Sequence, residues 1–169
     1  MAMKLYFSRH LGWALLLIIF CFIFFVIWSY PNQKARKTQY AKMLGVSSNA
    51  LQQGIIYSHL KYHSLSDGTG AKLDLLKMGN SLVDFNQFGF PIGNSHTEDS
   101  LKLGITTAHC RELWDDLLQP MRPMITPEPR ASLSVKAIQG KCVFTSLDYG
   151  NMAIEYKPAS GSVQLQVYD

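Results

Sequence analysis

The sequence predicts an α+β fold: an N-terminal transmembrane helix that continues into a long amphipathic helix, packed on a C-terminal antiparallel sheet. Three patterns predict it. Residues 11–30 form a charge-free apolar block of twenty residues. Beyond Pro31, apolar residues recur at helical spacing. From Ala131 onward the period drops to two, the alternation of half-buried strands. The chain divides accordingly into a short tail (1–10), an anchor (11–30), a helical stem (31–66) and one globular domain (67–169).

The block LGWALLLIIFCFIFFVIWSY holds thirteen Leu, Ile, Phe and Val residues. As an α-helix, twenty residues span about 30 Å, the thickness of a bilayer's hydrocarbon core. At roughly −0.3 to −0.6 kcal/mol each, these side chains favour insertion by about 4 to 8 kcal/mol. Leu11, Leu15, Ile18, Phe22, Val26 and Trp28 mark the anchor. Trp13 stands near one end and Trp28 and Tyr30 at the other, where amphipathic rings prefer the headgroup layer. Pro31 lacks an N–H and disfavours the α conformation in Tyr30, so a kink or short break is expected there. A cleaved signal peptide has a shorter apolar run followed by small residues at its cleavage site; WSYPNQK offers no such site, and an uncleaved anchor is expected. In a soluble protein, a helix apolar on every side would need a larger surrounding core than the rest of this chain supplies.

Charge is uneven along the chain. Residues 1–66 carry seven basic side chains and no acid, whereas residues 67–169 carry nine basic and twelve acidic ones. The basic pI of about 9.0 therefore belongs to the membrane-proximal part, where such residues meet anionic lipid headgroups, and it is not a nucleic-acid signature. Orientation is contested by the sequence itself. Lys4 and Arg9 precede the anchor, while Lys34, Arg36, Lys37 and Lys42 follow it, and that count alone would put the large domain in the cytoplasm. The cysteines and the β-rich tail favour the outside, which is the reading adopted.

Between about Lys34 and Ser66, Tyr40, Leu44, Leu51, Ile55 and Tyr62 recur at spacings of four, seven, four and seven, giving one apolar stripe. Gly45 and Gly54 weaken this helix by about 1 kcal/mol each relative to Ala. Ser66-Asp67-Gly68-Thr69-Gly70 ends it with turn chemistry. Residues 67–104, with six glycines, read as a long irregular connection containing at most a short element around Leu73 to Met78. Thr106 or Thr107 then caps a helix running to about Leu118, with Cys110, Leu113, Trp114, Leu117 and Leu118 on one face. Pro120, Pro123, Pro127 and Pro129 break the chain after it. Four strands follow, marked by Leu133, Val135 and Ala137; Cys142 and Phe144; Met152, Ile154 and Tyr156; and Val163, Leu165 and Val167. Turns at Gln139-Gly140, Asp148 to Asn151 and Pro158 to Gly161 join them into a meander. Its apolar face and the stem stripe are natural partners.

Cys21 lies in the anchor as an apolar filler. Cys110 and Cys142, the two others, suggest one disulfide in an oxidising compartment. The alternative is a pair of buried free thiols in a cytosolic domain. No zinc spacing or CxxC motif is present. His59 and His63 stand four apart and could share a metal, but no third ligand is evident in the sequence, and a solvated helix face is the expected reading. Asp115 and Asp116 are placed on the polar side of their helix. No GxSxG, SxxK or phosphate-cradling glycine loop appears, so neither catalysis nor a cofactor is expected.

The layout of apolar helix, amphipathic stem, variable loop and closing sheet resembles that of type IV pilins and pseudopilins. Phe88-Gly89-Phe90-Pro91-Ile92-Gly93 is similar to the Gly-aromatic-Pro segment that follows the stem in many pilin-like heads. Cys110-Arg111-Glu112-Leu113-Trp114 with Leu117-Leu118 resembles their Cys-x3-Trp helix, and Cys142-x-Phe144, Ile154-x-Tyr156 and Gly161-x-Val163 resemble their closing strands. One departure stands out. Pilins carry Gly-Phe-Thr-Leu-Ile-Glu at a peptidase site, whereas this chain has Gly12-Trp13-Ala14-Leu15-Leu16 and no acid before Asp67. The resemblance therefore implies an unprocessed accessory of type IV pilus biogenesis, single-pass in the bacterial inner membrane with a periplasmic domain. Its implied partners are the lipid bilayer and pilin-like or pilus assembly proteins, with no nucleic acid. Two rivals stay open. One is a membrane-anchored periplasmic sensory or ligand-binding module, with its pocket near Phe88 to Ile92 and Trp114. The other is a membrane-tethered hydrolase.

Overall fold

The computed structural model describes residues 2–95, 105–118, 133–147 and 151–168. Pro120, Pro123, Pro127, Pro129 and most of the turn at 148–150 lie outside them. The fold is α+β. Helix α1 (Ala2–Leu65) is followed by strands β1 (Lys72–Met78), β2 (Ser81–Phe85) and β3 (Pro91–Gly93), helix α2 (Thr107–Leu118), and strands β4 (Leu133–Ile138), β5 (Lys141–Ser146), β6 (Met152–Lys157) and β7 (Ser162–Val167). Two compact units are present, residues 1–40 and residues 41–169.

In the first unit, Gly12–Ser29 is the one stretch among the described residues that is long and apolar enough to cross a membrane. Leu15, Ile18, Phe22, Val26 and Trp28 are all exposed, as an element solvated by lipid rather than by protein would be. The backbone at Leu11 is helical. The break expected at Pro31 is absent, and helix continues on both sides of it. One proline removes a single backbone bond, which the flanking turns of a 64-residue helix outlast.

In the second unit Leu44, Leu51, Ile55 and Tyr62 of the stripe are buried; Tyr40, the last residue of the first unit, is half-buried. Full burial of such side chains contributes roughly 1.5–3 kcal/mol each. Ser47, Ser48 and Ser58 share the inward side. Ser47 Oγ donates to the Met43 carbonyl at 3.1 Å and Ser58 Oγ to the Gly54 carbonyl, so both hydroxyls are satisfied within the helix. Gly54 faces α2: a Cβ there would meet Leu117 at ordinary van der Waals distance, 3.5 Å. The helix stops at Ser66, whose N–H and Oγ both donate to the Tyr62 carbonyl, and Gly68 then turns the chain at φ 75°.

Residues 72–93 correct the expected irregular connection: they form a three-stranded antiparallel sheet in the order β1-β2-β3. Gly79-Asn80 makes the β1–β2 turn, with Met78 opposite Ser81 and Leu76 opposite Val83. A bulge interrupts the register between Lys72 and Leu76, where Asp74 takes φ 52°. The buried Asp84 carboxylate accepts the Asp74 N–H at 2.8 Å and holds the bulge. Val83, Phe85 and Tyr62 form the core of this half, flanked by Leu75, Leu76 and Met78.

The second sheet is the expected meander, ordered β4-β5-β6-β7. Val135 faces Phe144, Phe144 faces Ile154 and Ile154 faces Leu165, while Ala137, Cys142, Tyr156 and Val163 form the parallel row. Gln139 and Gly140, at φ 50° and 72°, supply the two left-handed residues that a two-residue hairpin turn requires.

Candidate functional site

The residues singled out by the sequence fall into three places: the stem, the loop that clamps it, and the face of α2. On the stem, burial of one stripe leaves the opposite face outward. Val46, Ile56, Tyr57 and Leu60 lie there at 55%, 43%, 50% and 63% exposure, interleaved with Asn49 and Gln53. Four sizeable apolar side chains within one helical arc, about 15 residues long, make an exposed apolar face. Lys61 Nζ lies 5.8 Å from the Tyr57 ring and adds a cation at its edge.

The Phe88–Gly93 motif works as a clamp. Asn86 builds it: its Oδ1 accepts the N–H groups of Phe88 and Phe90 at 2.9 and 3.0 Å, and its Nδ2 donates to the Pro158 carbonyl at 2.8 Å. Gly89 turns at φ 74°, and a Cβ on it would lie 2.5 Å from the Tyr62 ring. Phe90 stacks on His59 of the stem at 4.2 Å and 12°. Pro91 lends its carbonyl to the buried Tyr156 hydroxyl at 2.7 Å, and burial pushes that phenol well above its ordinary pKa. Gln52 completes the junction: its Oε1 accepts the Val163 N–H at 2.9 Å and its Nε2 donates to the Gly161 carbonyl at 3.3 Å, so the side-chain amide pairs with the edge of β7. Stem, first sheet and second sheet thus meet at residues 86–91. Asn86 escaped the sequence reading, although Asn followed three residues later by Gly is a turn signal.

Helix α2 is closed by a capping box. His109 N–H donates to Thr106 Oγ1 at 3.4 Å, and Thr106 N–H donates to His109 Nδ1 at 3.2 Å. Burial lowers the His109 pKa, against the pull of Glu112 and Asp84. Cys110 and Cys142 are joined by a disulfide with both residues fully buried. Trp114 packs against Phe144 with ring centroids 4.7 Å apart and the planes tilted by 37°. Asp116 departs from expectation, since it is buried rather than solvated. Its carboxylate accepts Asn94 Nδ2–H at 2.8 Å, and Glu112 accepts from Asn94 N–H and Ser95 Oγ, so the end of β3 is tied to α2. Burial raises the Asp116 pKa, while hydrogen bonds from Ser81 and Asn94 pull it back.

These contacts bear on the ligand-pocket rival. Phe90, Pro91, Ile92 and Trp114 are occupied in packing segments of the protein against one another, and Phe88 alone of that group is exposed. These residues hold stem, sheets and α2 together, and the outward stem face stays exposed. Set against protein-family models, curated proteins and solved structures, the chain matches none of them.

Proposed function

We propose that this chain is a membrane-anchored, pilin-like accessory protein of type IV pilus biogenesis that acts through protein–protein contacts and not by catalysis. The observation that carries the reading is the division of labour along α1. Its inner stripe is consumed by the globular unit, while Val46, Ile56, Tyr57 and Leu60 stay outward on the same helix that begins as an apolar segment. A helix with such a face is suited to lateral packing against other helices. The layout is similar to that of MSHA pilus biogenesis protein F, from the mannose-sensitive haemagglutinin system of Gram-negative bacteria. A buried Cys110–Cys142 bond fits an oxidising compartment, which supports a periplasmic domain on a single inner-membrane anchor. The absence of acid before Asp67 supports a permanent anchor over a filament subunit.

The test is recovery of partners from membranes. Full-length protein, solubilised in mild detergent from cells that make the pilus, should retain pilin-like subunits or assembly-machine components. Their consistent absence would contradict the reading.

A further inference from the structure

The stem turn carrying His59 and His63 brings two imidazole nitrogens to hydrogen-bonding distance on one side of the helix, and we propose that it binds a late first-row divalent cation such as Zn2+, with both Nε2 atoms as ligands once the His63 ring has turned. The i, i+4 spacing puts both rings on one side of the helix. Their Nε2 atoms lie 3.3 Å apart. Two nitrogens at 2.0–2.1 Å from a tetrahedral zinc ion are about 3.3–3.4 Å apart, so the separation matches and only the His63 ring has to turn.

His59 is already prepared for that role. Its Nδ1–H donates to the Gly89 carbonyl at 2.8 Å, which fixes the tautomer and leaves Nε2 with its lone pair. Metal-bound histidines characteristically donate their other ring N–H to a carbonyl or carboxylate in this way. The Phe90 stack holds the ring plane. His63 is exposed, so its ring can turn its lone pair from His59 toward the ion as its Nε2 proton passes to Nδ1 through solvent. No group of three or more His, Cys, Asp or Glu able to hold a metal occurs among the described residues, so the two imidazoles would leave the remaining positions of a bound ion to water. Two neutral imidazoles select Zn2+, Ni2+ or Cu2+ over Mg2+ or Ca2+. Because Gly89 holds the far side of His59, bound metal would lock this stem turn onto the clamp loop.

The experiment uses the full chain in detergent, purified with an affinity tag free of histidine, and titrates Zn2+ by calorimetry alongside thermal melts. One Zn2+ per chain and a raised Tm are expected. His63→Ala should abolish both while lowering the metal-free Tm less than His59→Gln does, since the exposed His63 loses only its contacts to His59 and to the Tyr62 ring. His59→Gln should also abolish binding, but it lowers the metal-free Tm through loss of the Phe90 stack, so His63→Ala decides. Absence of saturable binding would overturn the proposal. So would binding that survives in His63→Ala, which would assign the ion to other groups of the chain.

Discussion

Gly161 lies against the ring of Phe90 with no space for a side chain: a Cβ there would come within 2.1 Å of Phe90 Cε1. The same ring stacks on His59, so one aromatic residue is held between the stem and the turn that opens the last strand.

Gly161→Ala should therefore be among the costliest small substitutions in the protein. Its φ of 65° adds the left-handed penalty to the steric one, and together they should cost about 2–5 kcal/mol. Gly140→Ala, at φ 72° but in open space, should cost only about 1–2 kcal/mol. Thermal or denaturant unfolding of the full chain in detergent checks the difference. Equal losses would show that Phe90 moves aside.

Removing the disulfide should destabilise the globular unit substantially. Cys110 and Cys142 are 32 residues apart, and closing such a loop stabilises by roughly 3–4 kcal/mol in the chain-entropy model. Cys110→Ala/Cys142→Ala should lower Tm by roughly 10–20 °C. Mass spectrometry of the native protein under non-reducing conditions should find the two residues joined, and two free thiols there would contradict the account.

Acid should weaken the second unit through His109. Its folded pKa lies below the unfolded value of about 6.5, so between the two the unfolded chain binds the proton and the folded chain does not. The contribution is complete above about pH 6.5 and is lost as pH falls below that value. Protonation of Nδ1 would also remove the acceptor used by the Thr106 N–H. His109→Gln retains an acceptor at that capping position and should flatten the fall in Tm between pH 7 and 5.5. An unchanged slope would assign the acid sensitivity elsewhere.

The two faces of the stem should respond oppositely to charge. Leu51→Asp or Ile55→Asp places a carboxylate where no water reaches and should prevent folding of the globular unit. Leu60→Asp, on the outward face, should change Tm by about 0.5 kcal/mol equivalent or less, as exposed substitutions do. Circular dichroism melts separate the two cases.

The contrast between the two sheets explains what could be read from the residues. In the meander, Leu133 to Ala137 alternates with polar residues before Gln139-Gly140, and although Val143 is buried along with Cys142 and Phe144, the pairing register runs on with no bulge. In the first sheet, Asp74 takes up an extra left-handed position, which throws Leu73, Leu75, Leu76 and Met78 out of alternation. The period then resembles neither helix nor strand, although Gly79-Asn80 is a hairpin signal in its own right. Asp116 was misplaced for a related reason. Its burial depends on Asn94, 22 residues earlier, and no local pattern announces a side-chain partner at that distance. Cys110, Leu113, Leu117 and Leu118 were legible because a helical stripe needs only its own period.

The proposed contact of the outward stem face with pilin-like helices is tested by site-specific photocrosslinking in cells that assemble the pilus, with the photoreactive residue placed at Leu60 and, as an inward control, at Ile55. Adducts with pilin-like or assembly proteins are expected from position 60 and none from position 55. Adducts absent from position 60, in cells where the protein is folded and anchored, would contradict it.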